Sequence, residues 1–369
     1  MIKKLFFIAV TLAPCLAYGA DPTTNLSVQV VPPGTGLTAP PQAAAQGFTT
    51  NMINADFTTG STTGQTSVCL TCQPYSEVPG YQWYEQFNGL LENAGSNIAY
   101  PFNDNGTTVL MIQNGACCYG SVKGRSGISR ISNYGTYGIK MPFNGYFEVE
   151  MRMPEFNTIP IWVNFWSTDV NAANGSEDGY INNEFDWSGE EHGVGGASSG
   201  AMLLGGGLNW NCWQGAQFWD PPYCAWGDVG PGGASVNQYI PGFDPTQYHK
   251  YASLVYQTDA NHMKSCFYVD GVQIPASGSS NCAVISINNN SSGGVGNASA
   301  YCGSDLKTNC YEGYERVTPV VDLTSSCNSD EGSDFSCWGG KTAHVYVKTV
   351  RAWSCATWQT TECSQYNPN

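Results

Sequence analysis

Gly145-Tyr146-Phe147-Glu148-Val149-Glu150-Met151-Arg152-Met153 alternates Phe147, Val149, Met151 and Met153 with Glu148, Glu150 and Arg152. A period of two sustained over this length belongs to a β-strand with one packed face and one polar face. Moving outward, the same reading applies to residues 107–113, around Val109, Met111 and Gln113, and to 160–167, which carries Trp162, Phe165 and Trp166. Residues 248–256, 266–269 and 344–353 complete the set, and Asp270-Gly271 directly after the 266–269 run is a hairpin turn signal. Gly, Asn, Ser and Pro fill the intervals. No stretch supports a helix longer than a few turns, and no repeat of fixed period is present. Residues 47–356 therefore read as one large all-β domain, in which two curved antiparallel sheets pack as a sandwich to bury the alternating apolar faces.

The ends read differently. Residues 1–19 have the pattern of a secretory signal: Lys3 and Lys4, an apolar run, then Ala17-Tyr18-Gly19. The apolar run is too short to span a membrane. Residues 20–46, rich in Pro, Thr, Gly and Ala, read as a flexible leader, and 357–369 as a C-terminal tail. Export, to the extracellular space or a periplasm, is the expected destination.

Cysteine usage agrees with export. Of 15 cysteines, Cys15 falls within the signal, which leaves an even number for disulfides. Close spacing suggests Cys212 with Cys224, Cys266 with Cys282, Cys302 with Cys310, Cys327 with Cys337 and Cys355 with Cys363. Cys69, Cys72, Cys117 and Cys118 remain without an assigned order. Cys69 and Cys72 have zinc-ligand spacing, but no second pair and no nearby histidine joins them, so no metal is expected there.

The formal net charge is −15, and the loss of Lys3 and Lys4 makes it more negative. Such a field repels nucleic acid, anionic membranes and anionic polysaccharides, so neither nucleic acid nor membrane is an expected partner. Aromatic residues make up 13 % of the chain, with 11 Trp and 21 Tyr. Buried β cores account for most of these; the rest suit stacking on the apolar faces of sugar rings.

Chemistry concentrates in Asn182-Asn183-Glu184-Phe185-Asp186-Trp187-Ser188-Gly189-Glu190-Glu191. Read as a strand, Glu184 and Asp186 share one face and Phe185 and Trp187 the other. Neighbouring carboxylates repel, so one proton is held more tightly. Hydrolysis of a glycosidic bond uses such a pairing, with one carboxylate as nucleophile or base and one protonated carboxyl as acid. The plain alternative, a solvated acidic loop, fits the Gly, Ser and Asn content but not the two aromatic residues.

The ordered set Tyr137-Gly138, residues 144–153, Ile161-Trp162-Val163-Asn164-Phe165-Trp166, Asn183-Glu184-Phe185-Asp186-Trp187, Tyr248-His249-Lys250-Tyr251, Phe267-Tyr268-Val269-Asp270-Gly271 and residues 347–353 resembles glycoside hydrolase family 16. The resemblance covers about residues 47–353. It implies a concanavalin A-like β-jelly-roll with a glycan cleft on its concave face. It also implies that Glu184 is the nucleophile and Asp186 the carboxylate that orients it. The family places its acid/base four or five residues after the nucleophile, but here Ser188 and Gly189 hold those positions. Glu190, six residues on, is the proton donor we expect, and Glu191 the alternative. In a regular strand six residues span about 20 Å, so a bulge or bend at Ser188-Gly189 is required to shorten the path.

Trp162, Trp166 and Trp187 are expected near the sugar. Residues 205–233 read as an insertion whose Trp210, Trp213 and Trp219, with Trp226, form a stacking rim. Its Gly205-Gly206-Gly207 run lacks the strand and helix context of a phosphate-binding loop. His192 reads as polar surface and His249 as structural. Residues 277–334 are polar, and their sequence does not separate a cleft extension from a peripheral decoration. No cofactor is expected. The resemblance leaves room for a structural calcium ion, whose ligands the sequence does not assign. The resulting expectation is a monomeric, secreted, retaining endo-glycoside hydrolase acting on a neutral β-linked polysaccharide, with β-glucan foremost. A transglycosylase is a variant of the same chemistry. The alternatives are a lectin-like glycan-binding protein with a degenerate site and a disulfide-stabilised structural or adhesive surface protein.

Overall fold

The computed structural model describes residues 36–61, 63–69, 83–84, 99–115, 129–132, 145–169, 182–192, 205–211, 243–259, 262–274, 282–286, 317–325, 327 and 336–356. Sixteen strands occur among them. In chain order they are β1 Thr50–Asp56, β2 Val68–Cys69, β3 Trp83–Tyr84, β4 Ala99–Asp104, β5 Thr107–Gly115, β6 Ser129–Ser132, β7 Gly145–Arg152 and β8 Ile161–Asp169. They continue as β9 Asn182–His192, β10 Gly205–Asn211, β11 His249–Asp259, β12 His262–Val269, β13 Val272–Ile274, β14 Ala283–Ser286, β15 Val317–Ser325 and β16 Thr342–Ser354.

The strands form two sheets. One runs β13-β12-β11-β7-β16-β5-β4, with β1 added at β16 and β14 at β12; the other runs β10-β9-β8-β15-β6-β3-β2. Every pairing is antiparallel except that of β2 with β3. The chain passes back and forth between the sheets, giving the all-β jelly-roll sandwich expected from the alternating runs.

The alternation of residues 145–153 builds the core. Phe147, Val149 and Met151 of β7 and Val345 and Val347 of β16 are fully buried. They form one apolar cluster with Ile161, Val163 and Phe165 of β8 and Val321 and Leu323 of β15, all fully buried as well. Across this layer the buried Asn114 donates from Nδ2 to the Leu323 carbonyl at 3.0 Å, so its amide is hydrogen-bonded within the core.

Two hairpins turn as their sequences require. Asp270-Gly271 joins β12 to β13 with φ of 50° and 77°, and Asn105-Gly106 joins β4 to β5 with φ of 51° and 90°. Left-handed φ at both central positions suits Asn or Asp followed by Gly. Gly145 is constrained for a different reason. A Cβ there would lie 2.8 Å from the Trp353 carbonyl oxygen and 2.9 Å from Phe147 Cζ. Gly145→Ala is expected to cost about 1–3 kcal/mol through overpacking. Thermal melting checks this, and an unchanged midpoint would contradict it.

The opposite face of the first sheet carries a buried acid. Glu148 is 6 % exposed, sits in register with Ala252 of β11 and Arg351 of β16, and accepts from Tyr146 Oη at 3.3 Å. Burial raises its carboxyl above the ordinary range, although Lys250, Arg351 and the Tyr146 bond pull the other way. An acid whose folded pKa is raised stabilises fully below its unfolded value, about 4.3, and that contribution is lost as pH rises through the folded value. Glu148→Gln, which mimics the protonated acid, is expected to match wild type near pH 4 and to melt higher than wild type at pH 7. Equal melting points at pH 7 would contradict this.

Disulfides link Cys266 to Cys282 and Cys327 to Cys337, two of the pairs expected from spacing. Cys355 is also disulfide-bonded. Cys363 and the remaining suggested pairs lie outside the described residues, as do the signal segment and the C-terminal tail.

Three expectations change. Residues 36–46, read as the end of a flexible leader, are packed. Pro41–Ala45 form a short helix, Ala43 is fully buried, and Leu37 and Ala39 lie against the core. The alanines that resemble linker composition are also strong helix formers. Residues 205–211, read as the start of an insertion outside the set of strands, are a strand. Residues 317–325, read as part of a polar segment of undecided place, form β15, which lies between β8 and β6 within the second sheet.

Candidate active site

The second sheet has two kinds of register position. On β8, Ile161, Val163 and Phe165 belong to the core, so Trp162, Asn164, Trp166 and Thr168 hold positions of the other parity. Residues directly opposite in an antiparallel pair share a face, so this parity passes to the neighbouring strands.

On β9, Glu184 is opposite Thr168 and Asp186 is opposite Trp166, both at non-core positions. The register then breaks twice. Trp166 pairs with Asp186 but Phe165 pairs with Ser188, so Trp187 is an extra residue, a β-bulge. Phe165 pairs with Ser188 and Val163 with Glu191, so Gly189 and Glu190 together face the single position of Asn164. Register resumes with His192 opposite Trp162. β10 reports the first break independently: Gly207 pairs with Asp186 and Gly205 with Gly189. Glycine on both strands of this crossing suits the bent backbone of a bulge.

Two bulges have a simple consequence. Glu184 and Glu190 are six residues apart in sequence but stand at positions only four residues apart along β8, Thr168 and Asn164. At about 3.3 Å per residue this shortens the backbone path from about 20 Å to about 13 Å. Both fall in the non-core parity, whereas Glu191 pairs with the fully buried Val163.

Of the tryptophans expected near the sugar, Trp162 and Trp166 hold non-core positions on β8, and Trp187 is the bulged residue. Trp210 is opposite Asn183, whereas Asn209 is the β10 residue opposite Glu184. Reading 205–233 as an insertion outside the set of strands hides this parity. Trp213, Trp219 and Trp226 lie outside the described residues.

Positions that single-strand reading passes over complete the row beside the bulge. Asn164 pairs with Asp322 of β15, and Asp322 with Arg130 of β6. The alternation of Val321 and Leu323 against Asp322 is the available signal, interrupted by Pro319. His249, expected to be structural, stands away from this sheet. Its Nδ1 is 2.7 Å from Asp270 Oδ2, its Nε2 is 3.0 Å from the Asp244 carbonyl, and its ring lies 4.1 Å from that of Phe243. It secures the Asp270-Gly271 hairpin. Among the described residues no group of His, Cys, Asp or Glu has the arrangement of a metal site.

No protein-family model and no curated protein matches the chain. Solved structures do. A family 16 protein of a mixed-linkage glucan system from Bacteroides ovatus, in complex with a product, shares 13 % identity over 76 % of this chain and 98 % of its own, with a TM-score of 0.44. The chain is similar to glycoside hydrolase family 16. The endo-1,3-β-glucanase (laminarinase) catalytic domain of Thermotoga petrophila shares 14 % identity over 77 % of this chain and 96 % of its own, with a TM-score of 0.42. A GlcNAcα1-4Gal-releasing endo-β-galactosidase from Clostridium perfringens shares 12 % identity over 84 % and 64 %, with a TM-score of 0.45.

Proposed function

We propose that this protein is a secreted, endo-acting glycoside hydrolase that cleaves a neutral β-linked polysaccharide, β-glucan foremost, with retention of anomeric configuration. One observation carries the reading: the paired bulges of β9 bring Glu190 to the register position of Asn164, four residues along β8 from that of Glu184. A retaining glycosidase needs its two carboxyl groups about 5–5.5 Å apart. A regular strand separates these glutamates by about 20 Å of backbone and the doubly bulged one by about 13 Å, which supports pairing them as nucleophile and proton donor.

In the proposed reaction Glu184 attacks the anomeric carbon while protonated Glu190 gives its proton to the departing glycosidic oxygen. Water then opens the glycosyl-enzyme, and Glu190 takes up the water's proton. Asp186, two positions from Glu184 in the same parity, orients the nucleophile. Its negative charge also favours retention of the proton by the neighbouring acid. Trp162 and Trp166 offer aromatic surface for the apolar faces of sugar rings. The net charge of −15 favours an uncharged glycan over a sulfated or uronic one. The disulfides suit an exported protein, which we expect to act as a monomer.

Reducing-sugar release from a panel of neutral β-glycans, with the first-formed anomer followed by proton NMR, tests this directly. Hydrolysis giving the β-anomer first is expected. Inversion would remove Glu184 as nucleophile, and binding without hydrolysis would make the protein a lectin.

A further inference from the structure

The row that begins at the second bulge continues across three strands. Gly189 and Glu190 face Asn164, Asn164 pairs with Asp322, and Asp322 pairs with Arg130. We propose that Asp322 and Arg130 act on Glu190 as an opposed charge pair that sets the pH at which the proton donor loses its proton. This rests on the hydrolase reading above and assigns the pair as positioning residues for its acid/base step.

The placement is specific to this row. Among the described residues of this parity on the second sheet, β9 contributes Glu184, Asp186 and His192 around Glu190. β8 and β10 contribute no charged residue. β15 contributes Asp322 alone, β6 contributes Arg130 alone, and Tyr84 and Cys69 lie further out on β3 and β2. Asp322 and Arg130 are therefore the only opposite charges directly paired in register on this part of the sheet, among the described residues.

Their order gives the effect its sign. Strands are spaced about 4.8 Å apart, so Asp322 stands about 10 Å from Glu190 and Arg130 about 14 Å. The nearer negative charge holds the proton on Glu190, and the farther positive charge partly offsets it. At an effective dielectric near 20, a single charge at these distances moves a pKa by roughly half a unit to one unit at low ionic strength. Removing one partner exposes the other, so the two removals act in opposite directions.

The test is kcat/KM against pH on one cleaved glycan at low ionic strength, for wild type, Asp322→Asn, Asp322→Glu and Arg130→Gln. The alkaline limb reports the acid in the free enzyme. Asp322→Asn is expected to move that limb roughly half a unit to one unit to lower pH, and Arg130→Gln to move it to higher pH. Asp322→Glu, which keeps the charge, is expected to leave it near the wild-type position. A purely structural role would lower activity without opposite shifts. Limbs that stay in place, or that move the same way in both variants, overturn the charge pair. If one variant fails to fold by thermal melting, the direction of the other decides. A wild type that cuts no glycan overturns the hydrolase reading itself, whereas an active wild type with unmoved limbs overturns only the charge pair.

Discussion

Glu184→Gln is expected to lower glycan hydrolysis by roughly four to six orders of magnitude while the protein folds and melts as wild type does. The amide is close in size to the carboxylate and keeps a hydrogen-bonding group, but it cannot form the glycosyl ester that the proposed double displacement requires. Glu184 lies at a non-core position opposite Thr168 and Asn209, so the change leaves the sandwich interior intact. The loss belongs in kcat rather than in affinity, because the missing bond forms only after the substrate is seated. Initial rates of reducing-sugar release, with binding followed separately by calorimetry, check both parts. Residual activity within about tenfold of wild type would place the nucleophile elsewhere.

The second large effect concerns stability. Asp104 at the end of β4 has a side chain only 6 % exposed. It accepts from Arg152 Nη2 at 2.6 Å and Nε at 2.9 Å, and from Tyr248 Oη at 2.6 Å. Arg152 in turn lies 4.7 Å from the Tyr346 ring centre, and Lys348 lies 3.8 Å from that of Tyr248. The cluster ties β4, β7, β16 and the entry to β11 together on the face of the first sheet away from the core. Asp104→Asn removes the charge and leaves Arg152 short of its partner. The expected cost is about 3 kcal/mol, the low end for a buried pair, because Arg152 keeps 18 % of its side-chain surface. In a domain of this size that lowers the melting temperature by about 6–12 °C.

The pH dependence of that loss arises from the same contacts. Burial alone would raise the Asp104 pKa, but the bonds from Arg152 and Tyr248 and the charges of Arg152 and Lys348 outweigh it and hold the pKa below the ordinary value. A depressed acid stabilises above its unfolded pKa, about 3.9, and that contribution is lost as pH falls through the folded value. The gap between wild type and Asp104→Asn should therefore be full at pH 7 and shrink at pH 3. A gap of constant size would assign the effect to packing instead of charge.

Much of this fold is legible in the alternation of single strands. Phe147, Val149 and Met151 are readable as core because each strand's own pattern decides which residues it buries. Asp270-Gly271 is readable because a two-residue turn is a local choice. The bulges of β9 are not readable in this way. A bulge is defined by the count of residues on the partner strand, and that count exists only once β8 is paired. Strict alternation puts Trp187 with Phe185, whereas the register makes Trp187 the extra residue that resets the parity of Ser188 and the residues after it. The need for a bend near Ser188-Gly189 is visible from the distance between Glu184 and Glu190. That two separate bulges supply it is not. The Asp104 cluster is hidden for a related reason, since its members lie 48 and 144 residues apart in sequence and meet only through sheet order. Asp322 and Arg130 become neighbours in the same way.

The comparison of Glu190→Gln with Glu191→Gln on a cleaved β-glycan tests the central claim most directly, because the two residues are adjacent in sequence and separated only by register. With two bulges in β9, Glu190→Gln should lose activity by several orders of magnitude. Its rate on a substrate with an activated leaving group, which needs little proton donation, should be far less affected, and Glu191→Gln should stay close to wild type on both. If Glu191→Gln is the inactive variant and Glu190→Gln is not, the register of β9 as described does not place the proton donor, and the claim fails.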